Sequence, residues 1–264
     1  MQTVRANGLD FRCDIQGSGP WLTLAHSLAA DLSMWDAQME ALTPHFTVLR
    51  YDLRGHGGSS VPPAPYSFEM LVADQLALWD ALSIARSHFL GLSMGGMLGQ
   101  HLALGAPQRI ERLVLASTSS GKGVNPEALA KLWEQRLAQV AAEGMQAMVE
   151  PTLGRWFTEP FRYTEPEVMA QIGAAIAATP PAGYAACGRM IPSMDTDGSL
   201  PQIVLPTLVL VGEEDAGTPP AMAESIAARI PGARLEVLPQ ASHLANVEQA
   251  DLFNALLLAF LGVV

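Results

Sequence analysis

The chain has 264 residues, 49% hydrophobic and 16% charged, which suits one globular core with room for an insertion and does not suit a disordered chain. A formal net charge of −11 argues against a nucleic-acid partner, which needs a basic face, and mildly against steering of anionic substrates by the overall field. No apolar run reaches a membrane span, residues 1–10 lack a charged-then-apolar leader, and Cys13 and Cys187 stand far apart outside any C-x-x-C, so a cytoplasmic protein with reduced thiols and no membrane partner is expected.

In chain order, residues 3–6 and 9–15 flank Asn7-Gly8, a two-residue hairpin signal. A turn at 16–20 leads into the apolar run 21–25, which reads as a buried parallel strand. After His26-Ser27-Leu28-Ala29-Ala30, either Asp31 or Ser33 is placed to cap a helix carrying Met34, Trp35, Met39 and Leu42. Residues 46–51 form the next strand, 52–60 a long loop, and 68–82 a helix by period. A strand over 88–92 runs into Gly91-Leu92-Ser93-Met94-Gly95-Gly96, and a helix leaves it from 94 to about 104. A further strand covers 110–116. From 119 to 200 only helices are expected, over 126–143, 145–153, 166–178 and 181–190. Alternation then resumes with a strand at 207–211, a helix at 219–230, a strand at 234–238 and a final helix at 247–261.

Alternating strands and helices imply an α/β protein with a mostly parallel sheet flanked by helices. The helical run interrupts that alternation after the sixth strand. We therefore expect a core of residues 1–118 and 201–264 and a cap of residues 119–200, set at the carboxyl edge where such sheets bind ligands.

The stretch at 91–96 is a G-x-S-x-G nucleophile elbow, a strained strand-to-helix turn that lifts one serine hydroxyl above the sheet. Ser93 then needs a base. Of the six histidines, His243 lies on a loop after the last strand, and the order nucleophile, acid, histidine fits this class of elbow. Asp215, in Val211-Gly212-Glu213-Glu214-Asp215 after strand 207–211, is the candidate acid, with Gly212 expected to permit the turn that aims it inward. Glu213 and Glu214 read as solvated neighbours. The loop after strand 110–116 offers no carboxylate. The backbone N–H groups of Met94 and Leu28 are the candidate oxyanion donors. No H-E-x-x-H and no Cys/His cluster is present, so no metal and no cofactor is expected. Gly55-His56-Gly57-Gly58 is superficially like a phosphate loop but lacks the lysine and the following helix. A non-catalytic binding module would show an incomplete triad, and here all three positions are filled.

The elbow, Asp215 and the late His243 together resemble the α/β-hydrolase superfamily. Asp31-Leu32-Ser33-Met34-Trp35, Leu49-Arg50-Tyr51-Asp52 through Ser59-Ser60, Arg109-Ile110-Glu111-Arg112-Leu113, Glu143-Gly144-Met145 and Arg155-Trp156-Phe157-Thr158 are similar to bacterial 3-oxoadipate enol-lactonases. The resemblance implies an α/β-hydrolase fold and cofactor-free opening of a small unsaturated lactone in aromatic catabolism. A carboxylesterase of small neutral or aryl esters and a carbon–carbon bond hydrolase are the alternatives. The sequence departs from the pattern at His26-Ser27-Leu28-Ala29, where Asn-Ser-Leu-Gly is usual, and over residues 182–197. A lactone of this kind carries a carboxylate, for which Lys131, Arg136, Arg155 and Arg189 are the cap cations. Ser27, Trp133 and Arg136 are candidate substrate contacts. The partner expected is a small-molecule ester or lactone, with a homo-oligomer left open.

Overall fold

The computed structural model describes residues 1–121 and 125–263; residues 122–124 of the expected cap lie outside the described residues. Strands β1 (Gln2–Ala6) and β2 (Leu9–Gln16) form an antiparallel hairpin through Asn7 and Gly8, at φ 47° and 75°, the doubly left-handed turn that Asn-Gly accommodates. β3 (Trp21–Ala25), β4 (Thr47–Tyr51), β5 (Ser87–Leu92), β6 (Ile110–Ala116), β7 (Thr207–Gly212) and β8 (Arg234–Leu238) complete a sheet of order β1-β2-β4-β3-β5-β6-β7-β8. β2 meets β4 antiparallel, and every later pairing is parallel. The fold is the α/β-hydrolase architecture expected, with the helical insertion after the sixth strand.

Successive side chains of a strand point to opposite faces, so the apolar runs build two cores. Leu22, Leu24, Leu90, Leu92, Val114 and Leu208 face one way. Against them pack α1 (Asp36–Leu42), α11 (Ala250–Leu261) and much of the insertion. Phe89, Leu113, Leu115, Val209 and Val211 face the other way, under α2 (Phe68–Ala81), α3 (Met94–Gly105) and α9 (Pro220–Arg229). The insertion consists of α4 (Pro126–Glu143), α5 (Val149–Trp156), α6 (Glu159–Thr164), α7 (Pro166–Ala178) and α8 (Pro181–Met190). Among the described residues no helix is long and apolar enough to cross a membrane.

The structure departs from the sequence expectations at several element ends. Asp31, not Ser33, caps the first helical turn: its carboxylate accepts the Ser33 N–H at 2.8 Å. That turn is a tight 3₁₀ piece, Leu32–Trp35, ahead of α1. The helix expected over 145–153 opens as a 3₁₀ turn, Met145–Met148, and becomes regular only in α5. Pro151 explains this, because its ring would meet the carbonyl four residues back in a continuous helix, whereas it is tolerated in a first turn. Helix α6 was not anticipated, although Thr158 followed by Pro160 is a start signal: Thr158 caps it and Pro160 sits in its first turn. The final helix is two pieces, α10 (Ala245–Glu248) and α11, separated by Gln249 at φ −123°, ψ 50°.

Beneath the loop that follows β4, Arg54 is buried against Asp74, with Nε to Oδ2 at 2.5 Å and Nη2 to Oδ1 at 2.7 Å, under the ring of Tyr66. Asn7 adds a third donor to Asp74 at 2.7 Å. The pair ties the loop and the first hairpin to α2. Arg54→Met leaves Asp74 buried without its counter-charge, so it should lower unfolding free energy by about 3–5 kcal/mol in urea titrations at pH 7; a change within about 0.5 kcal/mol would show that the pair contributes nothing.

Candidate active site

The elbow is a steric construction. Ser93 sits at φ 56°, ψ −112°, a left-handed, strained conformation that only surrounding structure can hold. Strand and helix meet around it with no side chain between them. A Cβ on Gly91 would lie 2.0 Å from the Gly95 carbonyl oxygen, and one on Gly95 would lie 2.1 Å from that of Ala25. The Ser93 N–H donates to the Ala116 carbonyl at 2.9 Å, and its own carbonyl accepts from Thr118 Oγ1 at 2.8 Å and from the Met97 N–H at 2.9 Å.

Asp215 leaves β7 and is 2% exposed. Its Oδ2 lies 2.8 Å from Nδ1 of His243. Oδ1 accepts the N–H groups of Gly217 and Thr218, both at 2.9 Å, and Oδ2 accepts Thr218 Oγ1 at 2.7 Å. Burial alone would raise the Asp215 pKa; the His243 charge and hydrogen bond, with the Thr218 donors, outweigh it and hold the carboxyl below its usual value. Glu213 and Glu214 are exposed, as expected. Gly212 has a different role from the one expected. It does not supply a left-handed turn; a Cβ there would meet the Ser242 and Ala241 carbonyls at 2.2 and 2.4 Å. It lets the acid loop and the histidine loop touch.

The histidine loop is laced to the insertion. Leu244 N–H donates to the Trp156 carbonyl at 3.1 Å and Ser242 Oγ to that of Arg155 at 3.1 Å. The half-buried Glu248 on α10 accepts Thr158 N–H at 2.8 Å and Thr158 Oγ1 at 2.9 Å through Oε1, and Ser242 N–H through Oε2. Burial raises its pKa despite these donors. The indole of Trp156 lies over the His243 ring, with centroids 6.3 Å apart and planes 25° apart. Neither Thr218 nor Glu248 was picked out from the sequence. Thr218, three residues beyond the acid, and Glu248, five beyond the histidine, have no local pattern that distinguishes them from turn and helix residues.

The loop between β3 and α1 is held by two histidines that the sequence left without a role. His26 Nδ1 lies 2.7 Å from the Ser27 carbonyl, and its Nε2 accepts the Leu53 N–H at 2.9 Å. His56 Nδ1 lies 3.1 Å from the Arg54 carbonyl, and its Nε2 accepts the Ala29 N–H at 3.2 Å. A carbonyl can only accept and an N–H can only donate, so both rings are neutral with the proton on Nδ1. Burial lowers both pKa values, that of His56 to about 3. Asp52, fully buried below them, accepts Leu32 N–H at 2.8 Å and Gly58 N–H at 2.7 Å. With Ala29 engaged, neither the Leu28 nor the Met94 N–H has a protein acceptor among the described residues.

These elements enclose a cavity of about 750 Å³. Ser93, His243, Ser27, Leu28, Trp133 and Arg136 all line it, as does Arg155. Lys131 and Arg189 are exposed and do not. Arg136 lies over Trp133, 5.2 Å from the ring centroid, and Arg155 donates to Thr152 Oγ1 at 3.1 Å. Neither guanidinium has a carboxylate partner among the described residues. Burial, then the like charge of Arg136, lowers the Arg155 pKa to about 10, so it remains charged at neutral pH.

An eight-stranded sheet of this order with a serine on its elbow, an acid after β7 and a histidine after β8 defines a class, and the comparison with known families agrees. A model of the α/β hydrolase fold matches residues 20–250, and the chain belongs to that family of hydrolase enzymes. It is 36% identical to 3-oxoadipate enol-lactonase 2 of Acinetobacter baylyi over 96% of this chain and 92% of that protein. The crystal structure of the enol-lactonase from Burkholderia xenovorans superposes with a TM-score of 0.93 at 40% identity, covering 98% of this chain and 99% of that one. A hydrolase structure from Pseudomonas aeruginosa gives 0.89 at 47% identity, over 96% and 94%.

Two outcomes follow from this geometry. Below pH about 6.5 an unfolded histidine takes up a proton that folded His56 refuses until about pH 3, so the unfolded state binds more protons. Stability should therefore fall as pH drops through that window, by up to about 1.4 kcal/mol per unit for each such histidine. His56→Gln, whose amide oxygen can accept the Ala29 N–H, should flatten the slope of urea stability between pH 6.5 and 4.5 by about one proton; an unchanged slope would sink the assignment. Glu248→Gln keeps an acceptor for Thr158 but none for Ser242. It should lower kcat for an aryl ester about tenfold, with KM moving less than threefold, consistent with roughly 1–2 kcal/mol for a charged hydrogen bond; a change confined to KM or to thermal stability would refute a role in holding His243.

Proposed function

We propose that the protein is a serine hydrolase that opens a small carboxylated lactone, with 3-oxoadipate enol-lactone as the specific substrate. Ser93 Oγ attacks the ring carbonyl while Nε2 of His243 takes its proton. Asp215 holds the imidazole in the Nδ1–H tautomer and offsets the imidazolium charge without accepting the proton. The N–H groups of Leu28 and Met94 receive the oxyanion. Collapse breaks the ring C–O bond and expels an enolate, a better leaving group than an alkoxide, which is protonated from His243. Water then attacks the acyl-serine with His243 as base, Ser93 departs as the alcohol, and the released enol tautomerises to the ketone. Arg136 and Arg155 receive the substrate carboxylate.

The observation that carries this reading is the Asp215–His243 pair opening onto the same cavity as Ser93 and two guanidiniums without counter-charges. Its likeness to enol-lactonases over nearly the whole chain supports the substrate. A carboxylesterase acting on aryl esters is the second reading, favoured by a cavity roomy enough for an aromatic leaving group.

Ultraviolet decay of 3-oxoadipate enol-lactone by the purified protein tests the proposal, with 4-nitrophenyl acetate beside it. Ser93→Ala should reduce lactone turnover by about 10⁴-fold or more. Arg155→Gln should raise lactone KM by about 10- to 100-fold, the range for a charge-assisted hydrogen bond, and leave the neutral ester within a factor of three. Ester turnover with an inert lactone would reject the lactonase reading and keep the nucleophile. An Ala variant as active as wild type would reject both.

A further inference from the structure

The cavity has two chemically different walls. Trp133, Trp156 and Tyr184 belong to the apolar core on one face of the sheet, and this aromatic wall carries Arg136 and Arg155. Met97 and Met194 belong to the core on the other face, and Met222 on α9 lines the cavity with them, as do Pro192 and Ile191, the last of which packs against both cores. Met97 is one helical turn beyond Ser93, its N–H donating to the Ser93 carbonyl at 2.9 Å. The thioether wall therefore begins beside the nucleophile. Asp195, exposed, is the acidic side chain among the described lining residues.

A carboxylate held by the two guanidiniums satisfies only one wall. A bare six-carbon lactone would leave the thioether wall facing water, in a cavity of about 750 Å³ that falls in the upper part of the range enclosing drug-sized ligands, about 300–1,000 Å³. Methionine side chains are flexible and polarisable, and they suit apolar groups of varied shape. Ile191, Pro192 and Met194 also fall in the segment 182–197, where the sequence departs from the enol-lactonase pattern. The same segment supplies Tyr184 to the aromatic wall, so the departure touches both walls.

From this we infer that the substrate is an amphipathic organic anion: a carboxylated lactone or ester that carries an alkyl or aryl substituent, its carboxylate at Arg136 and Arg155 and its apolar group against Met97, Met194 and Met222. The inference rests on the serine-hydrolase reading above and narrows its substrate class.

The test uses the mono(4-nitrophenyl) ester of adipate, its 3-methyl, 3-propyl and 3-pentyl derivatives, and the neutral methyl-capped diester of each, with nitrophenolate release as the signal. In the wild-type protein kcat/KM should rise about three- to fourfold per added methylene, the fold-change equivalent of about 0.8 kcal/mol, until the wall is filled. Each free acid should exceed its capped diester at least tenfold. Met222→Asn should flatten the dependence on chain length, and Arg155→Gln should flatten the dependence on charge. No gain with chain length in the wild-type free acids would overturn the inference, as would a Met222→Asn protein with an undiminished gain. Because the first of these needs no variant, a misfolded mutant cannot shelter the proposal. Ser93→Ala runs alongside on all eight esters: if it abolishes release while chain length has no effect, the hydrolase reading stands and only the apolar subsite falls.

Discussion

Everything in the site depends on a serine held at φ 56°, ψ −112°. That conformation costs on the order of 1–3 kcal/mol, and it persists because β5 and α3 meet closely enough to admit no side chain on either flank. The contact reaches further than the turn itself, because a Cβ on Gly95 would strike the carbonyl of Ala25 at the end of β3. The loop that offers the Leu28 N–H begins at the next residue. The elbow and the loop after β3 are thus placed relative to one another by a close approach of backbone, with β3 and β5 paired side by side to fix the distance.

The loop between β3 and α1 is held by groups that must remain neutral or fully bonded. Two buried imidazoles each use one nitrogen to donate to a carbonyl and the other to accept an amide. Their rings stand edge to face at 5.2 Å, and a proton on one would repel a proton on the other. Asp52 beneath supplies the negative charge, bonded to Leu32 and Gly58 and met by Arg12 at 3.2 Å. The usual economy of such networks is that full satisfaction makes them rigid while partial satisfaction is costly. With Ala29 committed to His56, the neighbouring Leu28 N–H is left without a protein acceptor among the described residues.

The central strands β3 to β7 were legible because most were short apolar runs bounded by turn residues, as parallel strands covered on both faces are, and β1 and β2 because Asn7-Gly8 marks a hairpin. The elbow was legible because its sterics force glycine at fixed offsets. Ser93, Asp215 and His243 could be ordered along the chain because the sheet order brings the ends of β5, β7 and β8 to one edge. What stayed hidden is what folding brings together from distant sequence. His26 and His56 are 30 residues apart in the numbering and meet only beneath the loop. Glu248 joins Thr158 to Ser242 across 90 residues, and nothing near it in sequence announces that. Gly212 was noticed for a turn it does not make; its true constraint, the approach of Ala241 and Ser242, involves residues about thirty positions away. The broken final helix has the same origin, since α10 answers to the histidine loop and α11 to the core.

Charge shows the same difference between composition and place. A net charge of −11 suggests a protein that anions avoid, yet its cavity presents two guanidiniums over an aromatic wall. Surface carboxylates act through water and salt, which screen them beyond about 8–10 Å at physiological ionic strength. Arg136 and Arg155 line the cavity, and burial, with a smaller contribution from the like charge of Arg136, lowers the Arg155 pKa. On the proposed reading, two like charges without a carboxylate partner among the described residues gain most from an anion that binds both. On that reading the acidic surface would slow the approach of such an anion without opposing its capture.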